Sequence, residues 1–231
     1  MVVNYPFVLF ARRIAKSPKG ETTNHLEEKM NIAILGAGNI GGTLGGKWIT
    51  AGHKIQFGVR DSNSPKTLSA LRQAKGATAV TVAEALAFAE VVLVSTPWGI
   101  VPELAAANAK DLDGKIILDA TNNFAGPVIN NLSALTSAAP NAKIYRAFNS
   151  LGWEVFATPI IDGQQADMFY CGPEGETRMQ VHKLIAAIGI NPIWVGENDR
   201  IQLVDNMGAL WVTMVFQRGW SRGFGFKAIG G

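Results

Sequence analysis

The chain is poor in the residues that build cross-links and metal centres. Cys171 is its single cysteine in 231 residues, so neither a disulfide framework nor a cysteine-built metal site can form within one chain. Its three histidines, His25, His53 and His182, lie far apart and lack metal-ligand spacing, so a structural metal is not expected. No run approaches the roughly 20 apolar residues of a membrane helix. The strongest candidate, MGALWVTMVF at 207–216, reads as a buried helix. Charged residues are 17% of the chain, with a net charge of +3. Residues 1–29 hold five Lys/Arg against three acids, and the remainder balances at 16 against 15. That body has no basic stripe, so a nucleic-acid partner is not expected either.

Apolar residues (48%) and 25 glycines are what the chain has in quantity, enough for one large α/β domain with a full core. Residues 1–29 run apolar, then basic, then polar, the reverse of a secretory signal. They are expected to be a disordered extension, with organelle targeting as the alternative, and a cytoplasmic protein is expected. From Met30 onward β-rich runs alternate with helical patterns, the signature of a parallel sheet covered on both faces. Six strands are predicted: NIAIL, KIQFGV, a short one at Thr78–Val80, VVLVST, KIILDAT and KIYRAFN. Two more, DMFYCG at 167–172 and NPIWVG at 191–196, flank a helix and are expected to extend that sheet and cover its edge. A last helix is predicted from about Ile201 to Phe216. The fold class is thus a Rossmann-type doubly wound parallel sheet with extra C-terminal strands and a terminal helix, residues 30–231 forming a single domain.

The first strand runs directly into GAGNIG, which matches G-x-G-x-x-G and opens a helix, the context that pattern requires. Gly36 permits the tight turn, Gly38 lets the backbone approach a pyrophosphate, and Gly41 allows close strand–helix packing. Asn39 and Ile40 begin the helix whose unpaired N–H groups favour phosphate. Gly42, Gly45 and Gly46 read as packing glycines. The second strand ends at Val59 and Arg60, beside the expected adenosine ribose. A carboxylate there would select NAD; the planar guanidinium of Arg60 suits a 2′-phosphate, so NADPH is the expected cofactor. Asp61 reads as a salt-bridge or turn residue, and Ser62 and Ser64 as further candidate phosphate contacts.

With these residues placed, the chain from about Met30 to its C-terminus resembles the NADPH-dependent reductases of coenzyme F420 (F420H2:NADP oxidoreductases). It is also similar to the oxidoreductase domain of STEAP metalloreductases. The carriers are ILGAGNIG, the arginine after strand two, STPW at 95–98, DATN at 119–122, YRAFNSLGWE at 145–154 and the tail VFQRGWSRGFGF. Where F420 reductases commonly place a small hydroxylated residue before the arginine, this chain has Val59, and its loop lacks their additional residue. The resemblance implies that Thr96, Pro97 and Trp98 run beside the cofactor and that Thr121 and Asn122 orient the nicotinamide carboxamide. Asn149 and Ser150 would then face the acceptor.

No catalytic histidine, lysine or cysteine is evident, which suits hydride transfer between two stacked rings, coenzyme F420 or a flavin being the co-substrate. Three rivals stand beside that reading. One is an imine reductase like pyrroline-5-carboxylate reductase, which is expected to carry a helical dimerisation domain where two strands read here. The others are a ferric or flavin reductase of the STEAP type and a non-catalytic NADPH sensor. The apolar last helix, with Trp211, Met214 and Phe216, would form a homodimer interface or cover the sheet.

Overall fold

The computed structural model describes residues 29–230. The extension expected over 1–29 lies outside the described residues apart from Lys29. Six strands form one parallel sheet: β1 (Asn31–Leu35), β2 (Lys54–Gly58), β3 (Thr78–Val80), β4 (Val91–Val94), β5 (Ile116–Asp119) and β6 (Lys143–Arg146). Their order is β3-β2-β1-β4-β5-β6, with the direction of winding reversing between β1 and β4.

The period-2 geometry of strands sorts their side chains into two cores. Ile32, Ile34, Val91, Leu93, Ile116 and Leu118 join a layer with Trp48, Phe57 and Phe148. Ala33, Leu35, Val92, Val94 and Ile117 join the opposite layer with Leu86, Leu112 and Leu135. Burial on both faces is why β4 and β5 read as unbroken apolar runs. On the first face α1 (Asn39–Thr50) packs against α2 (Pro65–Gln73). A Cβ at Gly42 would meet the Gln73 side chain at 2.7 Å, and one at Gly46 the Gln73 carbonyl at 2.6 Å. The packing role read for these glycines is therefore borne out. On the other face lie α3 (Val82–Phe88), α4 (Val101–Ala107), α5 (Ala109–Leu112) and α6 (Leu132–Ala138).

Past β6 come the short α7 (Trp153–Ala157) and a two-residue hairpin, β7 (Ile160–Ile161) with β8 (Gln164–Gln165). The strands expected at 167 and 191 are present as β9 (Asp167–Tyr170) and β10 (Asn191–Trp194), with α8 (Glu176–Ala187) between them. They pair parallel as their own two-stranded sheet. The link to β6 is one antiparallel bridge, Arg146 with Cys171, rather than a continuous ladder. A single bridge does not make a ladder, so β9 and β10 stand as a separate small sheet beside β6.

The last helix, α9 (Ile201–Val212), is continued by a π-helical turn over Thr213–Gln217. Trp211 is buried, whereas Phe216 is 63% exposed. The chain then folds back: Asp167 N–H donates to Phe226 O, and the buried Asp167 carboxylate accepts from Ala228 N–H (2.6 Å), Asn191 and Lys227 Nζ. Burial alone would raise this carboxyl, but those donors outweigh it and hold it below the ordinary carboxylate range. A depressed folded-state value contributes stability above the unfolded pKa of about 4, lost as pH falls through the folded value. Hydrogen exchange should therefore show the Asp167 amide losing protection below about pH 4, while β1 amides stay protected. Parallel loss at both would mean global unfolding and no local role for Asp167.

Candidate active site

The parallel sheet places the C-terminal ends of β1, β2, β4, β5 and β6 on one edge, where open α/β sheets bind ligands. Gly36, at φ +120°, crosses from β1 to the loop against the Ser95 carbonyl, and a Cβ there would lie 2.6 Å from it. A Cβ on Gly41 would collide with the Gly36 carbonyl. At Gly38 a Cβ would meet nothing within 4 Å, so this exposed residue is the open side of the loop. Gly38 is also the N-cap of α1, with no side-chain cap and no acid in the first turn. The amides of Asn39, Ile40 and Gly41 thus lack intrahelical acceptors, as helix N-termini that bind anions do. These residues fit a pyrophosphate.

At the β2 end, Val59 donates its N–H to Val80 O, and Arg60 and Ser62 are exposed. Arg60 forms no ion pair among the described residues. Asp61 takes the turn role foreseen for it, accepting from Asn63 N–H at 2.8 Å. Ser64 does not serve as a free phosphate contact: its hydroxyl caps α2, accepting from Thr67 N–H at 3.2 Å. A cleft of about 410 Å³ opens between the phosphate loop and α2, lined by Gly38, Asn39, Lys66 and Ser69 among others. Lys66 escaped the sequence reading because its place depends on the glycine face that brings α2 against α1.

At the other end of the edge the expected residues converge, but several are already bonded. Trp98 is half-buried and donates its indole N–H to Asn130 O at 3.0 Å, fixing the loop before α6. Pro97 is exposed, and Thr96 Oγ1 is buried without a partner. Thr121 is a correction: its buried hydroxyl donates to Asp119 Oδ1 (2.6 Å) and accepts from Asn131, so it supports the site from below. Asn122 Nδ2 donates to Asn149 O, and its oxygen accepts from Arg146. Asn149 donates to Val204 O of α9, leaving its Oδ1 buried and unpartnered, as is Ser150 Oγ. Phe148 immediately precedes them at φ 60°, a left-handed conformation rare for an aromatic residue. These orphaned polar atoms lie past the ends of β4 and β6, on the ligand-binding edge of the sheet, and buried groups of this kind call for a partner.

Beneath these residues lies a charged cluster that no sequence motif joins. Arg146, 1% exposed, donates Nε to Asp205 Oδ1 of α9 (2.8 Å), Nη1 to the carbonyls of Asp119 and Thr121, and Nη2 to Asn122. Its Nη1 also pairs with Asp119 Oδ2 at 3.3 Å. Asn130 donates to Asp205 Oδ2, and Asn131 N–H to Asp119 Oδ2. A Cβ on Gly208 would lie 3.0 Å from Asn149 O, which lets α9 close over this end.

Among the described residues, the charged groups beside Thr121, Asn122 and Asn149 are Asp119, Arg146 and Asp205, which pair with one another. Burial pushes the Cys171 thiol up to about 12, which keeps it protonated and inert at neutral pH. His182 is held neutral, first by burial and then by Arg178, and its Nδ1 lies against the Tyr170 hydroxyl. Among the described residues no group of His, Cys, Asp and Glu is arranged to hold a metal ion. No helix among them is long and apolar enough to cross a membrane.

Residues 31–123 match the family described as NADP oxidoreductase coenzyme F420-dependent. A glycerol-3-phosphate dehydrogenase [NAD(P)+] of Pseudomonas fluorescens is 28% identical over 132 residues, 52% of this chain and 37% of that protein. The chain therefore spans little more than a third of that relative's length. An Arthrobacter sp. FB24 protein assigned as an F420-dependent NADP-reductase superposes with a TM-score of 0.74 at 23% identity, covering 87% of this chain and all of that one. A pyrroline-5-carboxylate reductase from Coxiella burnetii gives 0.60 at 13%, covering 84% and 73%. At such identities the two structures speak for a shared fold.

Proposed function

From the premise that residues 31–123 carry the domain of the coenzyme F420-dependent NADP oxidoreductase family, we propose that the chain is an NADPH-dependent oxidoreductase. It exchanges hydride with a second redox cofactor, a deazaflavin of the F420 type or a flavin. One observation carries this: a dinucleotide cradle whose adenosine end holds Arg60, in no ion pair among the described residues, leads to a nicotinamide end where the acids Asp119 and Asp205 are both paired with Arg146. When bound, NADPH supplies the hydride, and a ring acceptor can take its proton from water. The protein's share is positioning. The loop amides and Arg60 hold the phosphates. Asn149 Oδ1, Ser150 Oγ and Thr96 Oγ1 present unsatisfied acceptor or donor atoms to the carboxamide. α9, drawn down by Arg146, roofs that end.

Anaerobic NADPH oxidation tests the reading, with F420, FMN, FAD and ferric chelate offered separately. Saturable turnover with F420 or a flavin is the expected result. Tight NADPH binding without oxidation by any of the four would favour a sensor instead. A cytoplasmic setting and a homodimer are part of this proposal. The dimer rests on the outer face of α9, where Leu203 and Leu210 are about half exposed and no charge interrupts them. Sedimentation at a monomer mass would remove it.

A further inference from the structure

We infer that the buried Asp119–Arg146–Asp205 cluster makes bound NADPH a stronger hydride donor, by favouring the cationic, oxidised nicotinamide over the neutral, reduced ring. The inference rests on the function proposed above. Two carboxylates and one guanidinium, each with 1–2% of its side chain exposed, leave a formal charge of −1 below the strand edge. Every partner of the two carboxylates is a donor: Thr121 N–H and hydroxyl and Asn131 N–H for Asp119, and Asn130 for Asp205, besides Arg146 itself. That is the environment of ionised carboxylates, which only accept. Among the described residues no second cation pairs with either acid.

The cluster is one hydrogen bond from Asn122 and two from Asn149, because Arg146 Nη2 holds Asn122, whose amide holds the Asn149 carbonyl. Salt screens such a buried charge poorly. The ring carries about one more positive charge after hydride leaves C4 with its electron pair. NADP+ and NADPH share every phosphate and ribose contact, so the ratio of their affinities isolates the ring. An unpaired unit charge about 10 Å away, at an effective dielectric of about 20, shifts that ratio by about tenfold.

The test is calorimetric titration of the intact chain with NADP+ and NADPH separately. On the unmodified protein NADP+ should bind about tenfold more tightly than NADPH; tighter binding of NADPH would overturn the inference. Asp205→Asn should bring the two affinities together. Asn130→Ala, which removes a hydrogen bond to Asp205 but no charge, should weaken both ligands alike and preserve the ratio. An unchanged ratio in Asp205→Asn would also overturn it, and if that variant does not fold, the measurement on the unmodified protein decides. Failure of either dinucleotide to bind is a different result. It would overturn the functional reading itself, and this inference with it.

Discussion

Methionine in place of Arg146 is expected to destabilise the fold by about 3–5 kcal/mol, the usual cost of stripping one partner from a buried ion network. The guanidinium joins β5, β6 and α9 through two carboxylates, two carbonyls and the Asn122 amide. Methionine fills the volume but leaves Asp119 and Asp205 facing each other without a counter-charge in a region closed to water. Urea unfolding should show the loss as a lower midpoint with the slope retained. An internal contrast is available at the surface. Arg222 pairs with Glu154 and lies over the rings of Trp211 and Phe216, but its side chain is 45% exposed. Arg222→Ala should cost about 1 kcal/mol. Equal losses for the two variants would mean that the Arg146 cluster is reached by solvent.

Arg60→Ala is expected to weaken NADPH binding by about 10–100-fold and to leave NADH within about threefold, the worth of a hydrogen-bonded charge pair at a phosphate. Arg60 is exposed and has no ionic partner among the described residues, so its removal should not disturb packing. Lys66 lines the cleft between α2 and the phosphate loop, so a residual preference for NADPH should survive and vanish in the double variant. Paired fluorescence titrations with both dinucleotides read this directly. An equal loss for NADPH and NADH would show that Arg60 serves the fold or the pyrophosphate rather than the 2′-phosphate.

The sheet was legible because its strands are either apolar runs buried on both faces or, like Thr78–Val80, bounded by turn residues. The helices on the far face were not, since α4, α5 and α6 are four to seven residues long, too short for a helical period to declare itself. The hairpin at 160–165 was missed for a similar reason, although Asp162-Gly163 at its tip, both at positive φ, is a turn signal in its own right. In the site, the phosphate loop could be read because its chemistry is backbone chemistry, local in sequence. The nicotinamide end depends on partners such as Asp119 with Asn131 and Arg146 with Asp205, which no local pattern joins. A signal existed nonetheless: Asp119, Arg146 and Asp205 are single charges inside otherwise apolar stretches, and such charges are rarely buried unless paired.

The two ends of the site therefore have different birth orders. The loop, Arg60 and α2, which frame the adenosine end, lie within the first fifty residues after Met30, and the longest tie of α1 is from Trp48 Nε1 to Leu184 O. The other end closes when Asp205 reaches Arg146, 59 residues back, and when Ala228 reaches Asp167, 61 residues back. A chain emerging from the ribosome N-terminus first completes its phosphate cradle well before its roof. A growing polypeptide arrested near residue 195 should thus hold an adenine nucleotide while its redox half is still unbuilt, which makes the nucleotide itself a candidate folding template for the newborn chain.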